Sequence, residues 1–320
     1  MNARPIAMRD AFLDRVRNAM ANDQDIFFLT ADFGSPVLDK IRSDYPDRFV
    51  NVGVAEQNLI NVTAGLALEG YKVFAYAIAP FITMRCYEQI RVSLALLSEV
   101  RPMNVTLIGV GAGYSYVVSG PTHQCYEDLT LMRALPNFNV YSPADHITAG
   151  AIFDGCISNS GLKYLRLDAQ VLPIIYEVGA PCISDGFHQH LHGKEICIVA
   201  TGFMLHTALT VAERLAENGV QIGLIDLFNF TFDIDKLLCS LKEYKCVVTM
   251  EEGFRGRGGM DAMLFDITTR HHTSFKLLNL GVEPGYRFEL GTRQELHEDV
   301  GIGVESVKRQ ILEYLQSMSK

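Results

Sequence analysis

The chain has 320 residues, 48% of them hydrophobic, and a formal net charge of −9. That is enough apolar content for two domains with real cores, and the acidic balance, with no block of like charge, argues against a nucleic-acid or anionic-membrane partner. The amino terminus M-N-A-R-P-I-A-M-R-D has no long apolar core, no apolar run approaches ~20 residues, and the cysteines form no C-x-x-C pair, so a cytoplasmic protein with reduced thiols is the expectation.

Helix-like and strand-like segments alternate along the chain. Residues 6–22 read as a helix, 25–32 (D-I-F-F-L-T-A-D) and 49–53 as strands, 56–69 as a helix and 72–79 as a strand. A helix over 81–98, strands at 105–112 and 139–144, helices at 127–135 and 144–158, and a strand at 163–167 complete the first set. The strands are short, apolar and rich in β-branched or aromatic residues, as strands covered on both faces are. The pattern predicts an α/β fold of two doubly wound domains, the first built on a parallel sheet.

Periodicity is lost across residues 168–194, which carry prolines, glycines and three histidines. A linker is placed at 176–194, ending a first domain of residues 1–175. A smaller α/β domain follows over 195–320. Its strands are expected at 195–201, 220–227, 245–251 and 275–282, and its helices near 206–218, 233–243, 259–270 and 301–318.

Parallel α/β sheets bind ligands beyond the carboxyl ends of their strands. Asp32 ends the first strand, Glu56 follows the second, Phe81 the third and His123 the fourth. Each has a bland reading: a turn brace for Asp32, a first-turn acid at a helix start for Glu56, core packing for Phe81 and a turn histidine for His123. Together on one rim they indicate a single pocket. The chain lacks G-x-x-x-x-G-K-[ST] and G-x-S-x-G, and the glycine-rich G-F-R-G-R-G-G at 253–259 follows a late strand without the dinucleotide pattern. No His, Cys and carboxylate cluster has metal-ligand spacing, so no metal site is expected on this chain.

The runs N-V-G-V-A-E-Q-N, F…R-C-Y-E-Q-I-R and G-P-T-H-Q-C-Y-E-D-L-T-L-M-R-A-L-P-N resemble the transketolase family of thiamine-diphosphate enzymes. The likeness spans nearly the whole chain: the first domain resembles the pyrimidine-binding domain and residues 195–320 the transketolase C-terminal domain. The G-D-G…N motif, which in that family holds Mg²⁺ and the cofactor diphosphate, does not occur in this sequence. The resemblance is therefore to the C-terminal, or β, subunit of a split two-chain transketolase. It implies an N-terminal, or α, partner carrying G-D-G…N, an α₂β₂ heterotetramer, and transfer of a two-carbon ketol unit from a ketose to an aldose. Deoxyxylulose-phosphate-synthase-like and 2-oxo-acid-dehydrogenase-β-like activities, or a degenerate non-catalytic homologue, are the alternatives.

The resemblance also assigns roles. Glu56 matches the glutamate that bonds the cofactor's pyrimidine ring and so promotes the thiazolium carbanion. Phe81 matches the aromatic that stacks on that ring, with Arg85 nearby and Ile82 able to share the place. His123 matches a histidine that contacts substrate oxygens near the reacting carbon, and Asp32 an aspartate near the site. Arg9 and Arg166 match positions that grip a sugar phosphate. Ser119 stands where transketolases usually carry a substrate-sensing aspartate, and Gly111 where they often carry a phosphate-binding histidine. The loop between them gains Tyr114 and Tyr116, so a sugar other than the common pentose phosphates is expected.

Overall fold

The computed structural model describes residues 4–318. Its first domain is a six-stranded sheet in the order β2-β1-β3-β4-β6-β5, parallel throughout. The strands are β1 (Ile26–Thr30), β2 (Phe49–Asn51), β3 (Lys72–Ile78), β4 (Asn104–Val110), β5 (Phe138–Tyr141) and β6 (Gly161–Leu167). Consecutive residues serve opposite faces, as the two-residue strand period requires. Leu29, Ala75 and Leu107 pack into one buried cluster, while their neighbours Phe28, Phe74 and Ile108 pack into another. Helices α1 (Met8–Met20) and α6 (His146–Ser158) cover the second face. Helix α3 (Glu56–Leu68) covers the first, with the segment after β3.

That segment differs from the single regular helix expected over 81–98. It is helical but mostly wide-turned: π-helical at Phe81–Arg85 and Ile90–Leu96, around a short α4 (Tyr87–Gln89). The Thr83 hydroxyl donates to the Ala79 carbonyl at 2.7 Å and the Cys86 thiol to that of Ile82 at 2.9 Å, side-chain bonds that compete with the regular α-helical ladder. Two helices lie outside the expected set. One is α2 (Pro36–Asp44), which has Ser35 as N-cap and proline at its start. The other is α10 (Arg293–Asp299), which opens with a capping box between Thr292 and Glu295. Helix α5 (Asp128–Arg133) precedes β5.

The second domain is a five-stranded sheet in the order β11-β10-β8-β9-β7. Strands β8 (Ile196–Ala200), β9 (Gly223–Leu227), β10 (Cys246–Phe254) and β11 (Lys276–Val282) are parallel. Strand β7 (Phe187–Leu191) runs antiparallel to β9 at the edge. This corrects the linker placed at 176–194, in which Phe187–Leu191 are strand. F-H-Q-H-L reads as polar because only Phe187 of its five residues is buried, as at an edge strand. Helices α7 (Met204–Ala216), α8 (Ile234–Leu241), α9 (Met260–Arg270) and α11 (Val304–Met318) complete the domain. No helix among the described residues is long and apolar enough to cross a membrane.

A buried ionic cluster joins the domains. Arg293 donates to Asp168, at the end of β6, at 2.6 Å, and to both carboxylate oxygens of Glu252 at 2.9 and 2.6 Å. His297 Nε2 lies 2.7 Å from Glu252, and the Arg293 guanidinium stacks 3.6 Å from the Phe203 ring centroid. Burial alone raises the Glu252 pKa, but Arg293 and His297 outweigh it and hold the carboxyl well below the usual carboxylate range. The backbone N–H of Tyr114 donates to the same carboxylate at 3.2 Å, so a second-domain residue anchors the loop that follows β4.

Candidate active site

The carboxyl ends of β1 to β4 form one rim. Glu56 is the first residue of α3 and only 2% exposed. Its N-cap, Ala55, supplies no side-chain bond to the helix start, and a carboxylate in the first turn suits the positive end of the helix dipole. Arg85 Nη1 donates to both Glu56 oxygens at 2.9 and 2.8 Å. The Arg85 side chain is 45% exposed, so this ion pair is buried on one side and open to the cleft on the other.

The wide turn after β3 sets Phe81 and Arg85 four residues apart on one face. The Arg85 guanidinium carbon sits 4.4 Å from the Phe81 ring centroid. On its other side Phe81 meets the edge of His123, with centroids 5.2 Å apart. His123 follows the tight turn Gly120–Thr122, and its Nδ1 lies 2.9 Å from the Thr122 hydroxyl. Tyr116 packs edge-on against His123 at 6.2 Å. The rim is thus a continuous series of contacts: Glu56, Arg85, Phe81, His123, Tyr116. Burial, then the Glu56 charge, push the neighbouring Cys86 thiol up to about 12, which leaves it inert as a nucleophile at neutral pH.

A cavity of about 490 Å³ opens beside this series, lined by Phe81, Met84, Arg85, Gln124, Glu127 and Tyr286 among others. Gln124 is buried; its amide oxygen accepts from the Tyr126 hydroxyl, while its amide nitrogen has no partner. Tyr286 reaches across from the second domain and donates to Glu127 at 3.0 Å. Neither Gln124 nor Tyr286 is among the residues that sequence reasoning singles out. Gln124 directly follows His123, so adjacency was its available signal. Tyr286 had none, because only the domain docking brings it here.

Comparison with known proteins decides the family. The profile of the transketolase pyrimidine-binding domain matches residues 4–173, and that of the transketolase C-terminal domain matches residues 188–307. The chain belongs to the transketolase family. It is 28% identical over 302 residues to the B subunit of the apulose-4-phosphate transketolase of Actinobacillus succinogenes, covering 94% of this chain and 96% of that one. It is 29% identical to the putative transketolase C-terminal section of Methanocaldococcus jannaschii, covering 92% and 91%. Among solved structures it resembles a split-gene transketolase described as an inactive beta4 tetramer, at a TM-score of 0.83 and 28% identity over 98% of this chain and 99% of that one.

Two expected site residues of this transketolase-family chain lie elsewhere. Arg166 does not reach the cleft: it is 3% exposed and donates to both carboxylate oxygens of Asp128 at 2.8 and 3.1 Å. A guanidinium inside the strand layer needs a fixed counter-charge, and Asp128 supplies it. Ile82 is fully buried in the core beneath α3 and leaves the aromatic place to Phe81. Of the rest, Asp32 is exposed at a left-handed backbone position with φ 53°. It accepts a 2.9 Å bond from Asn51, so its carboxyl braces the tips of β1 and β2. Arg9 is half-buried and donates to Asp10 at 2.8 Å. Ser119 is exposed on the loop that carries His123, and its side chain makes no bond among the described residues.

Proposed function

We propose that the chain is the C-terminal subunit of a two-component transketolase. It works with thiamine diphosphate and an N-terminal partner to move a two-carbon ketol unit from a ketose to an aldose. The observation that carries this is Glu56: a carboxylate closed off from water on its protein side and open to the cleft through a single half-exposed cation, beside an aromatic face and a histidine. This set suits an aminopyrimidine, which offers a ring nitrogen to a carboxyl and a flat face to Phe81. Bound thiamine diphosphate supplies a stabilised carbanion equivalent for carbon–carbon bond cleavage and formation.

The chain's own residues do the rest. Glu56 would hold the hydrogen bond at the ring nitrogen. Phe81 orients the ring. Arg85 now covers Phe81 and pairs Glu56, so it moves aside or shares the carboxylate when the ring enters. His123, at the far edge of Phe81, is placed to donate to or accept from oxygens on the substrate's reacting carbons. The G-D-G…N motif, which in the family holds Mg²⁺ and the cofactor diphosphate, does not occur in this sequence. We assign Mg²⁺ and the diphosphate to the partner subunit, in an α₂β₂ assembly. The similarity to the apulose-4-phosphate enzyme's B subunit and to the split-gene neighbour, along their full lengths, supports that division.

The test is reconstitution. The purified chain, thiamine diphosphate and Mg²⁺ are assayed for ketose cleavage with and without an N-terminal subunit bearing G-D-G…N. Activity only in the mixture is expected. Robust activity of the chain alone, or pyruvate decarboxylation in place of ketose cleavage, would overturn the proposal.

A further inference from the structure

The loop after β4 places one aromatic side chain where it controls the rim. Gly111 sits at φ +106°, and a Cβ built there would lie 2.2 Å from Cε2 of Tyr116. The Tyr116 ring therefore occupies the space that any side chain at 111 would take. It is half-buried against His123, and its hydroxyl makes no hydrogen bond among the described residues. Behind it the hydroxyl of Tyr76, fully buried at the end of β3, has no well-formed hydrogen bond, although Arg9 lies close to it. The Arg9 charge acts on both phenols. Burial, opposed by Arg9, pushes the Tyr116 pKa up to about 12, so it keeps its proton at any physiological pH.

The charge balance of this rim is equally telling. On the rim Arg9 is paired with Asp10 and Arg85 with Glu56, while Arg166 and Arg293 are closed off in the interior by Asp128, Asp168 and Glu252. Each of these arginines already meets a carboxylate, whereas the Tyr116 hydroxyl meets no hydrogen-bond partner among the described residues. An unpaired hydroxyl beside a reacting centre selects a partner that can hydrogen-bond without a full charge.

We propose that Tyr116 is a specificity-determining residue, seated over Gly111 beside His123, and that it selects substrates whose end at this part of the rim carries neutral hydroxyls rather than a phosphate. This rests on the transketolase reading above.

The reconstituted complex is assayed with hydroxypyruvate as donor and D-glyceraldehyde or D-glyceraldehyde 3-phosphate as acceptor. The wild type is expected to use the uncharged acceptor at least as efficiently, in kcat/KM, as the phosphorylated one. Tyr116→Phe, which removes one oxygen that has no hydrogen-bond partner among the described residues, is expected to raise KM for glyceraldehyde about ten-fold with little change in kcat and in Tm. A wild-type preference for the phosphorylated acceptor, or an unchanged KM in Tyr116→Phe, overturns the inference and leaves the ketol-transfer reading standing. Absence of ketol transfer by the wild-type complex overturns both.

Discussion

Two carboxylate–arginine pairs in this chain look alike in sequence and differ in kind. Glu252 and Arg293 are each 2% exposed at the side chain, and every charge around them is met by another. Glu56 is as deeply buried, yet its cation Arg85 is 45% exposed and lies over an aromatic face. The first arrangement is closed and holds two domains together. The second is open on one side, which is what a carboxylate waiting for a ligand requires. Burial of an acid is therefore no indicator of function by itself; the exposure of its partner separates the two cases.

Substitutions at the two pairs break or sharpen that contrast. The largest effect is expected at the closed pair. Glu252→Ala leaves Arg293 with Asp168 alone and takes the acceptor from His297 and the Tyr114 N–H, breaking a buried pair at a cost of about 3–5 kcal/mol. Thermal unfolding followed by circular dichroism checks it, and a Tm equal to that of the wild type would show that water or another acid replaces Glu252. Next comes the open pair. Glu56→Ala should lower kcat of the reconstituted complex by about 10²–10³-fold, the range for losing one group that stabilises charge in a transition state. Its Tm should stay close to the wild-type value, because Arg85 can turn to solvent; undiminished turnover would support a degenerate site.

Arg85→Ala is expected to act more weakly, because its cation gives way to the ligand. A change in thiamine diphosphate affinity of about ten-fold or less, equivalent to about 1.4 kcal/mol, is expected from titration of the complex. A loss as large as that of Glu56→Ala would make Arg85 part of the chemistry.

The last test concerns a third kind of buried acid, one that meets no cation among the described residues, and reads it by pH. Asp226 on β9 is fully buried, and burial raises its pKa to about 8, although the Tyr176 hydroxyl donates to it at 2.8 Å. The unfolded carboxyl titrates near about 4, so between about pH 4 and 8 the folded state binds the extra proton and stability falls as pH rises. Asp226→Asn removes this dependence. Its Tm should exceed that of the wild type at pH 8 and match it at pH 4. Equal differences at both pH values would mean that the proton is not the cause.

Much of this architecture is legible without coordinates. Short apolar strands separated by helices announce a parallel sheet, because strands covered on both faces lose their polar alternation. Glu56 and Phe81 stand where strand ends put them, and a carboxylate opening an apolar helix is conspicuous in a linear string. The edge strand β7 is hidden because its exposed residues carry no core signal. Arg166 misleads because sequence shows that an arginine ends a strand, not that Asp128, thirty-eight residues away in the chain, has already taken its charge.

The sequence by itself determined the α/β character of both halves, every strand but β7, the residues at the strand ends and the family they belong to. These follow from local periodicity and from short motifs whose residues are neighbours in the chain. Only the tertiary structure decided which charges are spent and which remain available: Arg166 and Arg293 are closed within the protein, Arg85 is poised over Phe81, Tyr286 crosses from the second domain, and Tyr116 fills the space above Gly111. Pairing and burial depend on groups brought together from distant parts of the chain, and no local pattern records who those partners are.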